Sequence, residues 1–226
     1  MCKNIALKGP QTRPVILYNR TTAKATAFAE SLGQNKATVA SSLANAVQPA
    51  SLIFICVGDD NAVDQIMSAI FDSSADLSSK IIVDCSTVHP DTSRRTAKAV
   101  SERGGSFIAC PVFGAPVFAD AGQLVVVPAG PADAIAKIKP FLDGVTARTT
   151  INVGGQGSEV DVGRASLLKV LGNTFILNTV ETLAEAMVAA EKSGLGTDVY
   201  QQWMETLFPG PFAKYAERMT SGDYFQ

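Results

Sequence analysis

Leu52-Ile53-Phe54-Ile55-Cys56-Val57 runs directly into Gly58-Asp59-Asp60, and this stretch decides the fold. Six apolar residues without polar alternation suit a strand buried on both faces, as in parallel sheets covered by helices on each side. The same kind of run recurs at Val15-Ile16-Leu17-Tyr18, Ile81-Ile82-Val83-Asp84, Ser106-Phe107-Ile108-Ala109 and Leu124-Val125-Val126-Val127. Between them, residues 22–32, 61–71, 90–103 and 131–142 have helical character. This alternation predicts an α/β fold with a doubly wound parallel sheet. After Asn152 the pattern changes. Residues 166–192 carry Leu167, Leu168, Leu171, Phe175, Ile176, Val180, Leu183 and Met187 at helical spacing, interrupted only by Gly172. One long helix is expected, with further helices over 197–205 and 211–219. The chain therefore divides near Gly154-Gly155 into an α/β part, 1–153, and an all-helical part, 154–226.

Composition narrows the function. The 226 residues are 46% hydrophobic and 18% charged, with a net charge of −2, which provides ample material for a core. Lysine and arginine total 19 against 21 acids and form no basic run, so no nucleic-acid partner is expected. No apolar stretch is long enough to span a bilayer, and Met1-Cys2-Lys3-Asn4 does not open a signal peptide, so no membrane partner is expected and the cytoplasm is the expected compartment. The four cysteines lie far apart in the sequence and His89 is the one histidine. Neither a metal site nor a disulfide is expected.

Several residues at the ends of the predicted strands could carry chemistry. Asn19-Arg20-Thr21 follows the first run, where a dinucleotide-binding unit reads the adenosine ribose. An acid there favours a free 2′-hydroxyl, whereas the forked donors of Arg20 suit a 2′-phosphate, hence NADP rather than NAD. The alternative is that Arg20 is solvated and opens a helix capped by Thr21 or Thr22. Val57 ends the second run and Gly58 and Asp59 follow it, and Ser86 and Thr87 follow the third, at the edge where open α/β sheets bind ligands. Equally, Asp59 or Asp60 caps the next helix, and Ser86 or Thr87 closes a turn. Phe113, Gly114 and Ala115 lie in a loop able to present main-chain N–H groups. Lys169 sits among Leu167, Leu168, Val170 and Leu171, with Asn173 one helical turn on. Desolvation there would turn a lysine into a usable acid or base; otherwise Lys169 snorkels from a buried helix.

In order along the chain, these segments resemble the β-hydroxyacid dehydrogenase family, relatives of 6-phosphogluconate and 3-hydroxyisobutyrate dehydrogenases. The resemblance rests on Leu17 to Thr21, on Val83 to Thr87 with Pro90, on Cys110 to Ala115 beside Ala121-Gly122, and on Gly163 to Lys169 with Asn173. It implies a Rossmann-like cofactor domain followed by an all-helical domain. It further implies Lys169 as general acid/base, Asn173 as its helper, Thr87 near the nicotinamide ribose, and Asn19, Arg20 and Thr21 at the adenosine phosphate. The implied reaction is hydride transfer between a nicotinamide cofactor and a small hydroxy acid or aldehyde acid. Imine reductases share the fold, and Lys169 argues for the hydroxyacid side. A homodimer through the helix 166–192 is implied by the same resemblance.

The chain departs from the family pattern in three places. Residues 1–10 resemble the later part of the first helix, so the family's first strand and its Gly-x-Gly-x-x-Gly turn are not found. That predicts either a gap between the flanking strands or their direct pairing, and weakened cofactor binding. Phe113 stands where the family has a serine that contacts substrate, so the substrate differs or is held by main chain alone. At its other end the helical part is partial. A chain apparently truncated at both ends raises the alternative of an impaired family member acting as a binding or dimerisation module.

Overall fold

The structure is a computed structural model and describes residues 1–74, 76–154 and 160–222. Gly155, half of the expected dividing pair, lies outside the described residues. The chain forms two compact units, Met1–Val170 and Leu171–Gln226.

The first unit is α/β, and its strands hydrogen-bond in three groups. Strands β1 (Val15–Leu17) and β2 (Ala37–Val39) form a parallel pair. Strands β3 (Leu52–Ile55), β4 (Ile81–Asp84) and β5 (Ser106–Ala109) form a parallel sheet in which Ile55 pairs with Asp84 and Asp84 with Ala109. The third group contains β6 (Val112–Phe113), β7 (Leu124–Val126) and β8 (Ala147–Thr150). The expected doubly wound parallel arrangement is present, and β6 and β7 add an antiparallel pair beyond it. The connection between them holds only a short helix, Pro116–Ala121, and parallel strands need a longer crossover. For the same reason Phe113 is a strand residue rather than a loop residue. Of the two outcomes expected between the first and second runs, the gap is found: β1 and β3 belong to different hydrogen-bonded groups.

Helices cover both faces of β3-β4-β5. Helix α1 (Cys2–Lys8) precedes β1, α2 (Thr22–Ser31) follows it, and α3 (Leu43–Val47) leads into β3. Helices α4 (Asp60–Ser73) and α5 (Pro90–Ser101) connect the central strands. On one sheet face Ile55, Ile82, Phe107 and Ala109 pack with Val63, Met67 and Ile70 of α4 and Val100 of α5. On the other, Val83, Cys85, Ile108 and Cys110 pack with Ala134, Ile138 and Leu142. The last three lie on the helix that follows the short α6 (Pro116–Ala121), namely α7 (Ala132–Leu142). Both faces being buried explains the unbroken apolar runs.

The cysteines, distant in sequence, converge in space. Cys56, Cys85 and Cys110 each follow the last paired residue of their strand, which continues the register Ile55, Asp84, Ala109. Their backbones are tied by Cys85 N–H to Ile55 O and Cys110 N–H to Asp84 O, both 2.7 Å. All four cysteines are free thiols, Cys85 and Cys110 buried.

Helix α8 (Gly163–Lys192) runs from the first unit into the second. It begins before the expected residue 166 because the Asp161 carboxylate accepts the Gly163 N–H at 2.9 Å. Its first turns belong to the first unit because Val162, Ala165 and Leu168 pack in the α/β core. In the second unit, α9 (Thr197–Leu207) and α10 (Pro211–Ser221) pack on each other. There the Phe175 and Phe212 rings meet edge to face at 6.2 Å. No helix among the described residues is long and apolar enough to cross a membrane.

Candidate functional site

The candidate site lies where β1, β3, β4 and β6 end, beside the second turn of α8. After β1, Asn19 Oδ1 accepts the Thr21 N–H at 2.8 Å. This closes a tight turn that leaves the Arg20 side chain exposed, with no hydrogen bond or ion pair among the described residues. Thr21 takes the N-cap position of α2 without a side-chain cap bond, so its hydroxyl is not consumed by the helix.

After β3, Asp59 caps α4 by accepting the Ala62 N–H at 2.8 Å. Its neighbour Asp60 accepts the His89 N–H at 2.9 Å and the Thr92 hydroxyl at 2.5 Å. Partial burial works against ionisation of Asp60, but these bonds prevail and hold it below the usual carboxylate range. The β3 and β4 loops are thus pinned together. Between them Gly58 faces open space, since nothing lies within 4 Å of where a Cβ would stand.

After β4, Ser86 is buried and does structural work. Its Oγ accepts the Val57 N–H at 2.9 Å, and its own N–H donates to Asp84 Oδ1 at 2.9 Å. Asp84 is buried, which pushes its carboxyl up, while the Ser86 hydroxyl and amide oppose the shift. Ser86 was expected to touch substrate, but this hydroxyl is already engaged within the protein. Thr87, next in the chain, is exposed.

Lys169 meets this edge from α8. Its ammonium lies 4.3 Å from the centroid of the Phe113 ring, a cation–π contact. Phe113 packs on the same core as Leu168, the residue before Lys169, which seats this part of α8 beside β6. Burial lowers the Lys169 pKa from its usual value, and no charged partner contributes. Of the two readings the sequence left open for Lys169, partial burial favours desolvation; its aromatic neighbour was not foreseen. Asn173 follows one turn later on the same helix.

Two contacts that the sequence reading missed fix the start of α8 on α5. Ser93 and Ser166 share a buried hydroxyl hydrogen bond of 2.7 Å. Arg94 grips Asp161 with two bonds of 2.9 and 2.8 Å, and its guanidinium is the main reason the Asp161 carboxyl lies below the usual range. Gly163 lies beneath that guanidinium, and an added Cβ would stand 2.7 Å from Arg94 Cζ, so a larger residue there would make the arginine shift. The Asp-x-Gly pattern at 161–163 was the available signal, as an acid two residues before a helix start is a capping position.

Comparison with known proteins identifies the family. Residues 1–155 match the NAD binding domain of 6-phosphogluconate dehydrogenase, and the chain belongs to that family, which includes the 3-hydroxyisobutyrate dehydrogenases. It is 35% identical over 226 residues to the NADH-dependent oxidoreductase ucdB of Aspergillus ustus, covering 100% of this chain and 73% of that protein. It is 28% identical over 188 residues to glyoxylate/succinic semialdehyde reductase 1 of Arabidopsis thaliana, covering 81% of this chain and 60% of the reductase. Among solved structures, Psf3 in complex with NADP+ and 2-OPP superposes with a TM-score of 0.78 at 22% identity, covering 98% of this chain and 74% of that one. The last likeness establishes the fold. These relatives lend no support to the alternative of an impaired module.

Proposed function

We propose that the chain is an NADP-dependent oxidoreductase that transfers hydride between the nicotinamide and a small hydroxy acid or aldehyde acid, with Lys169 as general acid/base. The observation that carries this reading is the Lys169 ammonium, half-buried, lowered in pKa by burial and set at the ligand-binding edge of the sheet. In reduction, Lys169 gives a proton to the carbonyl oxygen; in oxidation, its neutral amine takes the proton from the hydroxyl. Lowering the lysine pKa toward neutrality makes both forms accessible. Asn173, on the same helical face, orients the lysine or the substrate oxygen.

The residues present fit a dinucleotide. Gly58 offers open space at the strand edge, Asn19 holds the turn that presents Arg20, and the Thr87 side chain is exposed. In this reading Arg20 and Thr21 hold the 2′-phosphate, with Val57, Gly58, Asp59 and Thr87 along the nucleotide. When bound, the nicotinamide supplies or accepts the hydride. The name of the Aspergillus relative specifies NADH; the preference for NADP here rests on Arg20 and the absence of an acid at that turn. The chain acts in the cytoplasm, where free thiols persist, and pairs with a second copy through α8.

Fluorescence titration of the chain with NADPH and NADH tests the cofactor assignment. NADPH should bind more tightly, and Arg20→Ala should abolish the difference. Equal affinities in the wild type, or a preference untouched by Arg20→Ala, would refute it.

A further inference from the structure

Four residues were expected to face the substrate, Ser86, Phe113, Gly114 and Ala115, and none offers it a side-chain donor. The Ser86 hydroxyl is engaged by Val57 and Asp84, and the other three have no donor by their chemistry. Phe113 instead presents an aromatic ring. It is held in register opposite Val125 and carries the Lys169 ammonium 4.3 Å from its centroid. The turn beyond it is fixed as well. Gly114 has φ 138°, and a Cβ there would meet Leu124 Cδ2 at 2.8 Å and Phe118 Cβ at 3.2 Å. On α6, Val117 and Phe118 are exposed, so the chain continues from Phe113 into further apolar surface.

Transfer free energies determine what such a surface accepts. A carboxylate placed over the ring loses water, gains no side-chain donor from these four residues and meets the negative face of the π system. The cation at hand is Lys169. A carboxylate that pairs with it puts a carboxylate oxygen, rather than the reacting oxygen, on the proton donor. An apolar arm incurs neither cost, and its removal from water is favourable. We propose that Phe113 is a specificity-determining residue and that the substrate carries an apolar or aromatic arm beside its reacting carbonyl. This rests on the reading of Lys169 as proton donor; it keeps the carbonyl–alcohol chemistry of that reading and replaces the acid arm with an apolar one, the departure that Phe113 in place of serine implies.

The test compares hydrocinnamaldehyde with succinic semialdehyde, one aryl-tailed and one carboxylate-tailed. With NADPH, the aryl aldehyde should show kcat/KM higher by about tenfold or more. Phe113→Ser should bring the ratio near unity, and Phe113→Leu, which keeps an apolar surface, should retain most of it. A preference of the wild type for succinic semialdehyde, or a ratio unchanged by Phe113→Ser, overturns the proposal. If Phe113→Ser does not fold, the wild-type ratio and Phe113→Leu still decide it. Calorimetry with the two product alcohols, hydrocinnamyl alcohol and γ-hydroxybutyrate, separates this inference from the catalytic reading. Selective binding of the aryl alcohol without turnover of either aldehyde supports the specificity and refutes the catalytic role. Equal binding, or none of either, overturns the specificity.

Discussion

Replacing Ser166 with alanine removes one half of the buried hydroxyl pair that seats α8 on α5. Ser93 and Ser166 are 1% and 2% exposed and 2.7 Å apart. Leaving a buried hydroxyl without its partner costs about 1–3 kcal/mol. Ser93 lies in a helix, however, and its hydroxyl can turn to the carbonyl of His89 one turn back, which recovers part of the loss. Ser166→Ala is therefore expected to destabilise by about 1–2 kcal/mol. In the double variant Ser93→Ala/Ser166→Ala two methyl groups face each other and no polar atom is stranded, so its cost should fall below the sum of the single costs by about 1 kcal/mol. Urea denaturation of the wild type and three variants measures the cycle, as a change in midpoint at constant slope. Additivity of the two single changes to within about 0.3 kcal/mol would refute the reasoning, because independent sites add.

Other perturbations bear on separate parts of the account. Lys80 is buried and donates from Nζ to the carbonyls of Val47, Gln48 and Ala50 at 2.9, 3.1 and 2.8 Å. Lys80→Met keeps the apolar stem but strands these oxygens, and a loss of about 2–4 kcal/mol is expected by chemical denaturation; a stabilised variant would contradict it. Burial raises the Asp84 pKa above 3.8, so the protonated form favours the fold at low pH and that contribution fades as pH rises through the folded pKa. The stability of the wild type relative to Asp84→Asn should thus fall as pH rises from 3.8; a flat or rising difference in a pH series of melts would exclude it. Leu171, Phe175, Leu177 and Val188 of α8 are exposed, of which Leu177 and Val188 share one side of the helix, and exposed apolar side chains of this size suit association with a second copy. Light scattering should report a dimer that Leu177→Glu dissociates; a monomeric wild type would exclude pairing through α8.

The parts of the fold that were legible in the sequence are those buried on two sides. β4 and β5 occupy the residues expected of them, and the expected run of β3 extends only past its end, because continuous apolar sequence is what a covered parallel strand requires. β2, with Thr38 exposed, and β8, with Arg148 and Thr149 exposed, are short and half-polar, so they gave no such signal. β6 was hidden by Pro111, Gly114 and Pro116, residues that also mark loops. The convergence of Cys56, Cys85 and Cys110 depends on register between strands, which spacing along the chain does not encode. At the site, Lys169 was visible because a lysine interrupts an apolar helix. Its contact with Phe113 and the diversion of Ser86 into the loop hydrogen bonds arise from tertiary packing alone.

The central claim is that Lys169 moves the proton that accompanies hydride transfer. Its most direct test is NADPH-dependent aldehyde reduction by the wild type and Lys169→Ala, followed at the cofactor absorbance, with NADPH affinity measured in parallel. The account predicts that kcat falls by about 10²–10⁴-fold while NADPH binds as before. Turnover of Lys169→Ala within about twofold of the wild type, against that expected loss, would contradict it.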